Sequence, residues 1–220
     1  MTQNPDLARQ IVDTAVALAE QRSWEAIRLY EVAAAAGLTL DDIRQHFREK
    51  EDLVGAWFDR ADAAMLREAA TPECARLPTR QRLHRVIMIW LDALQPQRRV
   101  TREMIRGQCE FGHLHVQIPA ILRISRTVQW MREAAGLRDA GIRRALAETV
   151  LTSIYVTTFI YWLWDNSTDS ARTRDLLDSL LEKAEFLAGR VPGFAPPVEP
   201  WVQAPAPSSG PLPPIHKPIL

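Results

Sequence analysis

The chain has little cysteine, little glycine and no excess of charge of either sign. Of its 220 residues two are cysteine, Cys74 and Cys109, nine are glycine, and Lys plus Arg equals Asp plus Glu at 27 each. So few cysteines exclude a disulfide scaffold, and we expect both thiols to be free in a reducing interior. No secretory signal is visible, so we expect a cytoplasmic protein. The zero net charge gives no overall indication of a polyanionic partner.

Long apolar runs and catalytic motifs are also missing. Outside the proline-rich residues 191–220, the longest stretch without a charged residue covers residues 149–164 and contains Thr and Ser. It is shorter than the roughly 20 apolar residues of a membrane-spanning helix, so it predicts a buried bundle helix and no membrane span. The sequence has no G-x-S-x-G, no phosphate-binding loop and no H-E-x-x-H. We therefore expect no enzyme and no cofactor.

Helical periodicity dominates what is present, and proline and glycine fall between the periodic segments. No alternating strand pattern is convincing, so the fold class is all-α. Pro72 and Pro78 bracket a predicted loop, and Pro119 is predicted in the first turn of a helix. The pattern gives about nine helices, at residues 6–22, 29–36, 40–46, 50–70, 79–95, 98–109, 119–136, 139–164 and 169–189.

Residues 30–53 have the spacing of two short helices around a tight turn. Gly37 supplies the residue that can end a helix in the left-handed conformation. Thr39 follows as a candidate N-cap with Asp42 three positions later, close to a capping box. Leu38, Ile43 and Phe47 then form the buried face of the second helix. A helix, a glycine turn and a second helix are the signature of a helix-turn-helix.

The first 60 or so residues resemble the amino-terminal domain of the TetR family of dimeric, ligand-responsive transcriptional regulators. The resemblance is carried, in order along the chain, by Ala15, Leu18, Ala19, Ser23, Trp24, Ala36, Gly37, His46, Phe47, Lys50 and Leu53. It implies an amino-terminal three-helix DNA-binding domain and a helical-bundle domain for ligand binding and dimerisation. It implies further that the chain binds operator DNA as a homodimer, as a repressor released by a hydrophobic small molecule.

The chemistry of this segment departs from the family pattern. Arg28 replaces the usual Thr or Ser cap of the second helix, and Leu40, Asp41, Asp42 and Arg44 replace the usual residues of the recognition helix. Residues 1–60 contain seven Arg and Lys against eleven Asp and Glu, so the domain lacks the usual basic footprint of DNA binding. Either the two aspartates stabilise a helix start or they oppose phosphate. The candidate DNA-binding residues are Arg28, Thr39, Arg44, Gln45, His46 and Lys50.

The rest of the chain divides into a helical body and a tail. The expected domains are the helix-turn-helix at residues 1–48, a ligand-binding and dimerisation domain at 49–190, and a proline-rich tail at 191–220 that we expect to be disordered. Residues 76–106 hold eight arginines, which indicate either a solvated helix face or a surface for an acidic partner. Tyr161 and Trp164 share a helix side suited to a dimer contact. The candidate ligand-binding residues are Met88, Met104, Phe111, His113, Trp130, Tyr155, Phe159 and Trp162.

Two further readings of the body remain open. Cys109, Glu110, His113 and His115 lie close together, but Gly112 interrupts their helical spacing and no second cluster is visible, so we expect no metal.

Parts of the body also resemble a TetR-fold, non-DNA-binding, lipid-binding protein of ubiquinone biosynthesis, namely residues 71–98 and segments from 127 to 168. That resemblance implies an alternative function, the binding of a lipid or another hydrophobic small molecule. The family's terminal amphipathic helix has no counterpart in the proline-rich tail.

Overall fold

The computed structural model describes residues 5–108, 114–137 and 141–190, and this part of the chain is helical with no strand. Some of the predictions fall outside the described residues: the ligand-binding candidates Phe111 and His113, Cys109 of the candidate metal cluster, and the tail. Nine described helices have seven residues or more, and α5 is a four-residue turn of helix. The helices are α1 (Pro5–Gln21), α2 (Leu29–Ala36), α3 (Leu40–His46), α4 (Lys50–Ala69), α5 (Pro72–Ala75), α6 (Thr79–Leu94), α7 (Arg98–Gln108), α8 (Leu114–Ala135), α9 (Gly141–Trp164) and α10 (Ala171–Ala188).

Two predictions about proline were wrong. The loop expected between Pro72 and Pro78 contains α5, which begins at Pro72 because the Thr71 hydroxyl accepts a hydrogen bond from the backbone N–H of Cys74. Pro119 lies inside α8, which begins at Leu114, and not in a first turn. Only one turn of helix precedes Pro119, so the missing N–H leaves a single carbonyl, that of His115, without its helical partner.

We call α1 to α3 the head and α4 to α10 the body. The head packs as α1 against α2 and α2 against α3, with Ile11, Ala15, Val32 and Ile43 in its core. The body is built around α4, which packs against α6 and α8 and also contacts α1 of the head. Because α4 packs against both α1 of the head and the other helices of the body, a movement of α4 relative to α6 and α8 also moves the head.

The turn between α9 and α10 is organised by Asp165, which is buried. Its carboxylate accepts hydrogen bonds from the backbone N–H and hydroxyl of Ser167, at 2.9 and 2.7 Å, and from those of Thr173, at 2.9 and 2.6 Å. Burial acts to raise the pKa of Asp165, but these four bonds to the charged form outweigh it and lower the pKa to about 2. The carboxylate fixes the angle at which α10 returns along α9.

Candidate nucleic-acid interface and body core

The turn between α2 and α3 has the geometry that the sequence predicts. Gly37 adopts the left-handed conformation with φ of 70°, and Leu38 N–H returns to the carbonyl of Ala33 at 2.9 Å. Thr39 caps α3: its hydroxyl accepts from Asp42 N–H at 3.2 Å while the Asp42 carboxylate accepts from Thr39 N–H at 2.8 Å. The predicted capping box is therefore confirmed, and one of the two unexpected aspartates is a helix-start residue.

The outer face of α3 presents polar side chains and one apolar one. Ile43 and Phe47 are buried as predicted, whereas Leu38 is only half-buried. Leu40 is exposed at the first position of α3, and Arg44 and Gln45 are exposed one turn later. A short helix that is anchored by two side chains and carries hydrogen-bond donors on its outer face can enter a major groove.

Asp41 joins the two donors on that outer face. Its Oδ1 accepts from Arg44 Nε at 3.0 Å and Nη2 at 2.7 Å, and its Oδ2 accepts from Gln45 Nε2 at 2.9 Å. The hydrogen bonds from Arg44 and then from Gln45 lower the pKa of the Asp41 carboxyl. The second unexpected aspartate thus has a partner on α3 itself.

Three other predicted DNA-binding residues have local roles. The Arg28 guanidinium turns back to the carbonyls of Glu25, at 2.7 Å, and Ile27, at 3.3 Å. Thr39 is occupied by the capping box. His46 Nδ1 lies 3.0 Å from the carbonyl of Asp42, which can only accept, so this nitrogen carries the proton and Nε2 is left buried without a partner.

Lys50, which the sequence predicts as a DNA contact, is half-buried. Its ammonium donates to three backbone carbonyls of the loop between α1 and α2: Trp24 at 2.5 Å, Ile27 at 3.0 Å and Glu25 at 3.3 Å. It also lies 5.1 Å from the centre of the Trp24 ring. Burial, and secondarily the nearby Arg28 guanidinium, lowers the pKa of Lys50. Lys50 therefore fastens the start of α4 to the loop between α1 and α2.

A second attachment between head and body comes from α7. The Arg99 guanidinium donates to the carbonyls of Ala19 and Glu20 at the end of α1, at 2.9 and 2.5 Å. The Glu103 carboxylate accepts from Trp24 N–H at 2.7 Å and from Arg99 at 2.6 Å. A cation is favourable at the carboxyl end of a helix, so Arg99 both satisfies and complements the last turn of α1.

A neighbouring face of α7 holds the carboxyl end of α9. Arg102 donates to the carbonyl of Leu163 from Nε at 2.9 Å and from Nη2 at 2.5 Å, and Arg98 donates to the carbonyl of Asp165 and, at 2.7 Å, to the Ser170 hydroxyl. With Arg99 and Glu103 on the adjacent face, α7 links the last turn of α9 to the loop between α1 and α2. We call this set of contacts the α7 bridge.

The arginine-rich segment is therefore not the continuous solvated surface that the sequence suggested as one reading. Arg82 is buried and donates to four carbonyls, those of Cys74 at 3.2 Å, Ala75 at 2.5 Å, Leu77 at 2.9 Å and Ala135 at 3.2 Å. The charge count could not show this, because it counts an arginine that donates to carbonyls at a buried helix end in the same way as an arginine that faces a polyanion.

The body core contains an aromatic cluster, formed by Phe58, Trp90, Tyr155, Phe159 and Trp162. Trp90 stacks on Phe58 at a centroid distance of 5.8 Å and meets Tyr155 and Phe159 edge-on at 5.3 and 5.5 Å. Phe159 also stacks on Trp162 at 5.9 Å. Tyr155, Phe159 and Trp162 are among the predicted ligand-binding residues and share one face of α9. Trp90 and Phe58, which were not predicted together with them as one group, come from α6 and α4.

The other predicted ligand-binding residues do not form one group with this cluster. Met88 and Met104 are buried core residues, but Trp130 is 45% exposed on α8. Among the predicted ligand-binding residues that the structure describes, Trp130 is thus the one that is largely exposed to solvent. Helical spacing could not decide between the two sides of α8.

Asp62, on α4, is a buried carboxylate beside the aromatic cluster. It accepts from Trp90 Nε1 at 2.7 Å and from the Thr127 hydroxyl at 3.1 Å, and so connects α4 to α6 and α8. Burial raises the pKa of Asp62 more than these hydrogen bonds lower it. The sequence analysis missed Asp62, because a single aspartate in an amphipathic helix resembles a surface residue.

One face of α9 is apolar and exposed, contrary to the expectation of a helix buried in the centre of the bundle. The exposed fractions on this face reach 89% for Ile142, 54% for Ile160 and 58% for Trp164, and α10 adds Phe186 and Leu187. We call these residues, with Leu146, Val150 and Tyr161, the α9 face. Tyr161, at 43%, and Trp164 point away from the aromatic cluster, as predicted.

The described residues give little indication of a membrane span or of a metal site. By length and composition α9 is the one helix in the described ranges that could cross a membrane, with a third of its most apolar window buried. Within residues 5–108, 114–137 and 141–190, no group of three or more His, Cys, Asp or Glu is arranged to hold a metal ion. The described cysteine, Cys74, is buried and free.

Comparison with solved structures identifies close relatives of this fold. The chain is similar to a TetR transcriptional regulator from Nitrosomonas europaea ATCC 19718, with a TM-score of 0.73 and 49% identity, covering 82% of this chain and 99% of that one. It is also similar to a TetR transcriptional regulator from Rhodococcus sp. RHA1, with a TM-score of 0.60, 20% identity and coverages of 81% and 98%. A third similar structure is a tetR-family transcriptional regulator from Streptomyces coelicolor, with a TM-score of 0.57 and 19% identity, covering 86% of this chain and 82% of that one. The last two matches show the fold alone.

Comparison with family models gives a shorter match. The COQ9 model matches residues 142–188, which cover most of α9 and all of α10. A search of curated proteins gave no match.

Proposed function

The chain belongs to the TetR family of transcriptional regulators, and we propose that it binds operator DNA as a homodimer and is released by a hydrophobic effector. The amino-terminal resemblance inferred from the sequence is confirmed by the 49% identity to the Nitrosomonas europaea regulator. The observation that carries the DNA-binding proposal is the outer face of α3, where Arg44 and Gln45 are exposed on a helix fixed by a capping box. Both side chains are of the types that read purines in the major groove.

The α9 face supports the homodimer. Exposed apolar residues along 24 residues of helix, extended by Phe186 and Leu187 of α10, are more than single surface side chains would explain. Pairing of α9 and α10 with the same helices of a second copy buries this face in a four-helix interface with two-fold symmetry. Such a dimer carries two heads, as a two-fold symmetric operator requires.

The effector acts, in this proposal, at the aromatic cluster. A hydrophobic molecule inserted beside Trp90 and Phe159 would separate α4 from α6 and α8, where Asp62 holds them together. Since α4 contacts the head through Lys50, a shift of α4 changes the position of α3. This is allosteric only if the effector binds the shifted arrangement more tightly than the DNA-bound one.

A second candidate function is lipid binding without DNA binding. The specific observations in its favour are the COQ9 match over residues 142–188 and the acidic balance of the head. On this alternative the aromatic cluster and the α9 face serve an isoprenoid or another apolar lipid.

A fluorescence-anisotropy titration distinguishes the two functions. Purified protein is titrated against DNA from upstream of its own gene at two salt concentrations, with scrambled DNA as competitor. Sequence-specific binding that weakens with salt supports the regulator. A folded dimer that binds neither DNA, together with a lipid recovered by extraction and mass spectrometry from protein purified from its native host, would support the alternative and overturn the first proposal.

A further inference from the structure

The Asp41 carboxylate controls the orientation of both exposed donors on α3. Arg44 and Gln45 lie three and four residues after it, and each contacts a different carboxylate oxygen. The Arg44 and Asp41 side chains remain 72% and 61% exposed, so the three residues form a surface unit and not a piece of the core. A solvated ion pair of this kind adds little to stability, which leaves orientation as its effect.

The contact uses one edge of the Arg44 guanidinium and leaves another free. A guanidinium has five N–H donors. Asp41 receives the Nε–H and one N–H of Nη2, so both N–H groups of Nη1 and the outer N–H of Nη2 point away from the carboxylate. These outer donors form the end-on fork that matches O6 and N7 of guanine.

Gln45 is oriented by the same argument. The lowered pKa keeps Asp41 ionised at neutral pH, so its oxygens only accept and the amide nitrogen of Gln45 must face them. One amide N–H and the carbonyl oxygen of Gln45 are then left for a ligand. One donor beside one acceptor is the complement of N7 and N6 of adenine.

We propose that Asp41 is a positioning residue that presents Arg44 and Gln45 to neighbouring purines, guanine and adenine, in each operator half-site. This inference rests on the proposed DNA-binding function and names the chemistry of the bases that are read. It also explains how a carboxylate serves a surface that approaches phosphates: the Asp41 charge lowers affinity for any DNA, while the fixed donors raise affinity for one sequence. Specificity is the difference between these two affinities.

The opposite signs of the two effects provide the test. In the variant Asp41→Asn one repulsive charge is lost and the Arg44 anchor is weakened, so affinity for scrambled DNA rises and affinity for the operator does not rise with it. We expect the operator-to-scrambled affinity ratio to fall about tenfold or more, as for the loss of one good bidentate base contact. The charge-matched control Glu51→Gln removes a negative charge from an exposed residue of α4 and should change both affinities alike.

The experiment uses the full-length protein and an operator selected by the wild type from a random-sequence library. Anisotropy gives the affinity ratio for the wild type, Asp41→Asn, Arg44→Ala and the double variant, on the selected operator and on copies with 7-deazaguanine at each guanine. The proposal expects Asp41→Asn to lower the ratio less in the Arg44→Ala background than in the wild type, because only the Gln45 contact is then left to lose. It expects one 7-deazaguanine to weaken the wild type but neither Arg44 variant.

Three outcomes overturn the inference. A ratio within twofold of the wild type for Asp41→Asn, or independent losses in the double variant, would show that Asp41 does not act through Arg44. If the wild type itself enriches no sequence from the library, the proposed DNA-binding function fails before any variant is measured, and the role of Asp41 fails with it.

Discussion

The α7 bridge predicts that replacing Glu103 with Gln loosens the head without unfolding the body. Glu103 Oε2 accepts from Trp24 N–H at 2.7 Å and Oε1 accepts from Arg99 at 2.6 Å, and its side chain is 25% exposed. Gln keeps the shape and one acceptor but loses the charge. Hydrogen bonds to charged groups contribute about 1.5 to 3 kcal/mol each, so after allowance for solvent we expect a loss of about 1 to 2 kcal/mol.

Hydrogen exchange measures this local effect directly. A loss of that size corresponds to about a 5- to 30-fold increase in the open population, and we expect the Trp24 amide to exchange faster by that factor. The amides of α6, which packs against α4 in the body, should exchange at the wild-type rate. A variant at an exposed residue of α10, Glu182→Gln, is the control and should leave both regions unchanged.

Two results would refute the reasoning. A change of less than twofold at Trp24 would mean that the Glu103 contact adds nothing to the attachment of the head. An equal acceleration in the head and in α6 would mean that Glu103 stabilises the whole chain, and that the bridge is not a separable attachment.

Three further predictions concern buried polar groups. Arg82→Met should cost about 3 to 5 kcal/mol in the free energy of unfolding, measured by urea denaturation at fixed protein concentration, since it leaves four buried carbonyls without donors; a loss below 1 kcal/mol would contradict this. Lys50→Met should lower the free energy of unfolding by about 1 to 3 kcal/mol. Because it loosens the head, it should weaken binding to operator and scrambled DNA alike. An intact head that has lost DNA affinity would instead indicate that Lys50 contacts DNA directly. Burial raises the pKa of Asp62 in the folded state. The stability that the protonated carboxyl contributes is therefore full below the pKa of the unfolded state, and it is lost as the pH rises through the pKa of the folded state. Asp62→Asn, which retains an acceptor for Trp90, should therefore gain stability relative to the wild type as the pH rises from the unfolded pKa through the folded one. A difference in denaturation midpoints that does not change with pH would refute this.

The local parts of the fold could be predicted from sequence because they depend on neighbours in the chain. Thr39 and Asp42 form the capping box because each reaches the backbone of the other at a spacing of three residues. Gly37 ends α2 because the left-handed conformation suits a residue without a side chain. Tyr155, Phe159 and Trp162 meet because residues three and four apart share a helical face.

The contacts that joined distant segments could not be predicted in this way. The Lys50 ammonium, read as a DNA contact, serves carbonyls more than 20 residues away in the chain. Arg82, Arg98 and Arg102 were counted as one basic patch, although they satisfy carbonyls at helix ends brought together by packing. A charge count records the sign of a side chain and not which backbone atoms need it.

The two aspartates of α3 show both limits. Asp42 has the stabilising role that was one of the two open readings, since capping is a local rule. Asp41 also pairs with Arg44 and Gln45 on the same helix, a role that neither reading included, because both partners were predicted as DNA contacts. The spacing of three and four residues allows these contacts within a single helix.

The attachment of the loop between α1 and α2 gives the protein an internal optical signal. Trp24 is the one tryptophan in residues 1–48, its ring lies beneath the Lys50 ammonium, and its backbone is held by Glu103. An indole that is 7% exposed and in contact with a cation changes its emission when either contact is lost. Since the difference between the wild type and Trp24→Phe isolates this emission from that of the body tryptophans, detachment of the head from the body can be followed in stopped flow without a label.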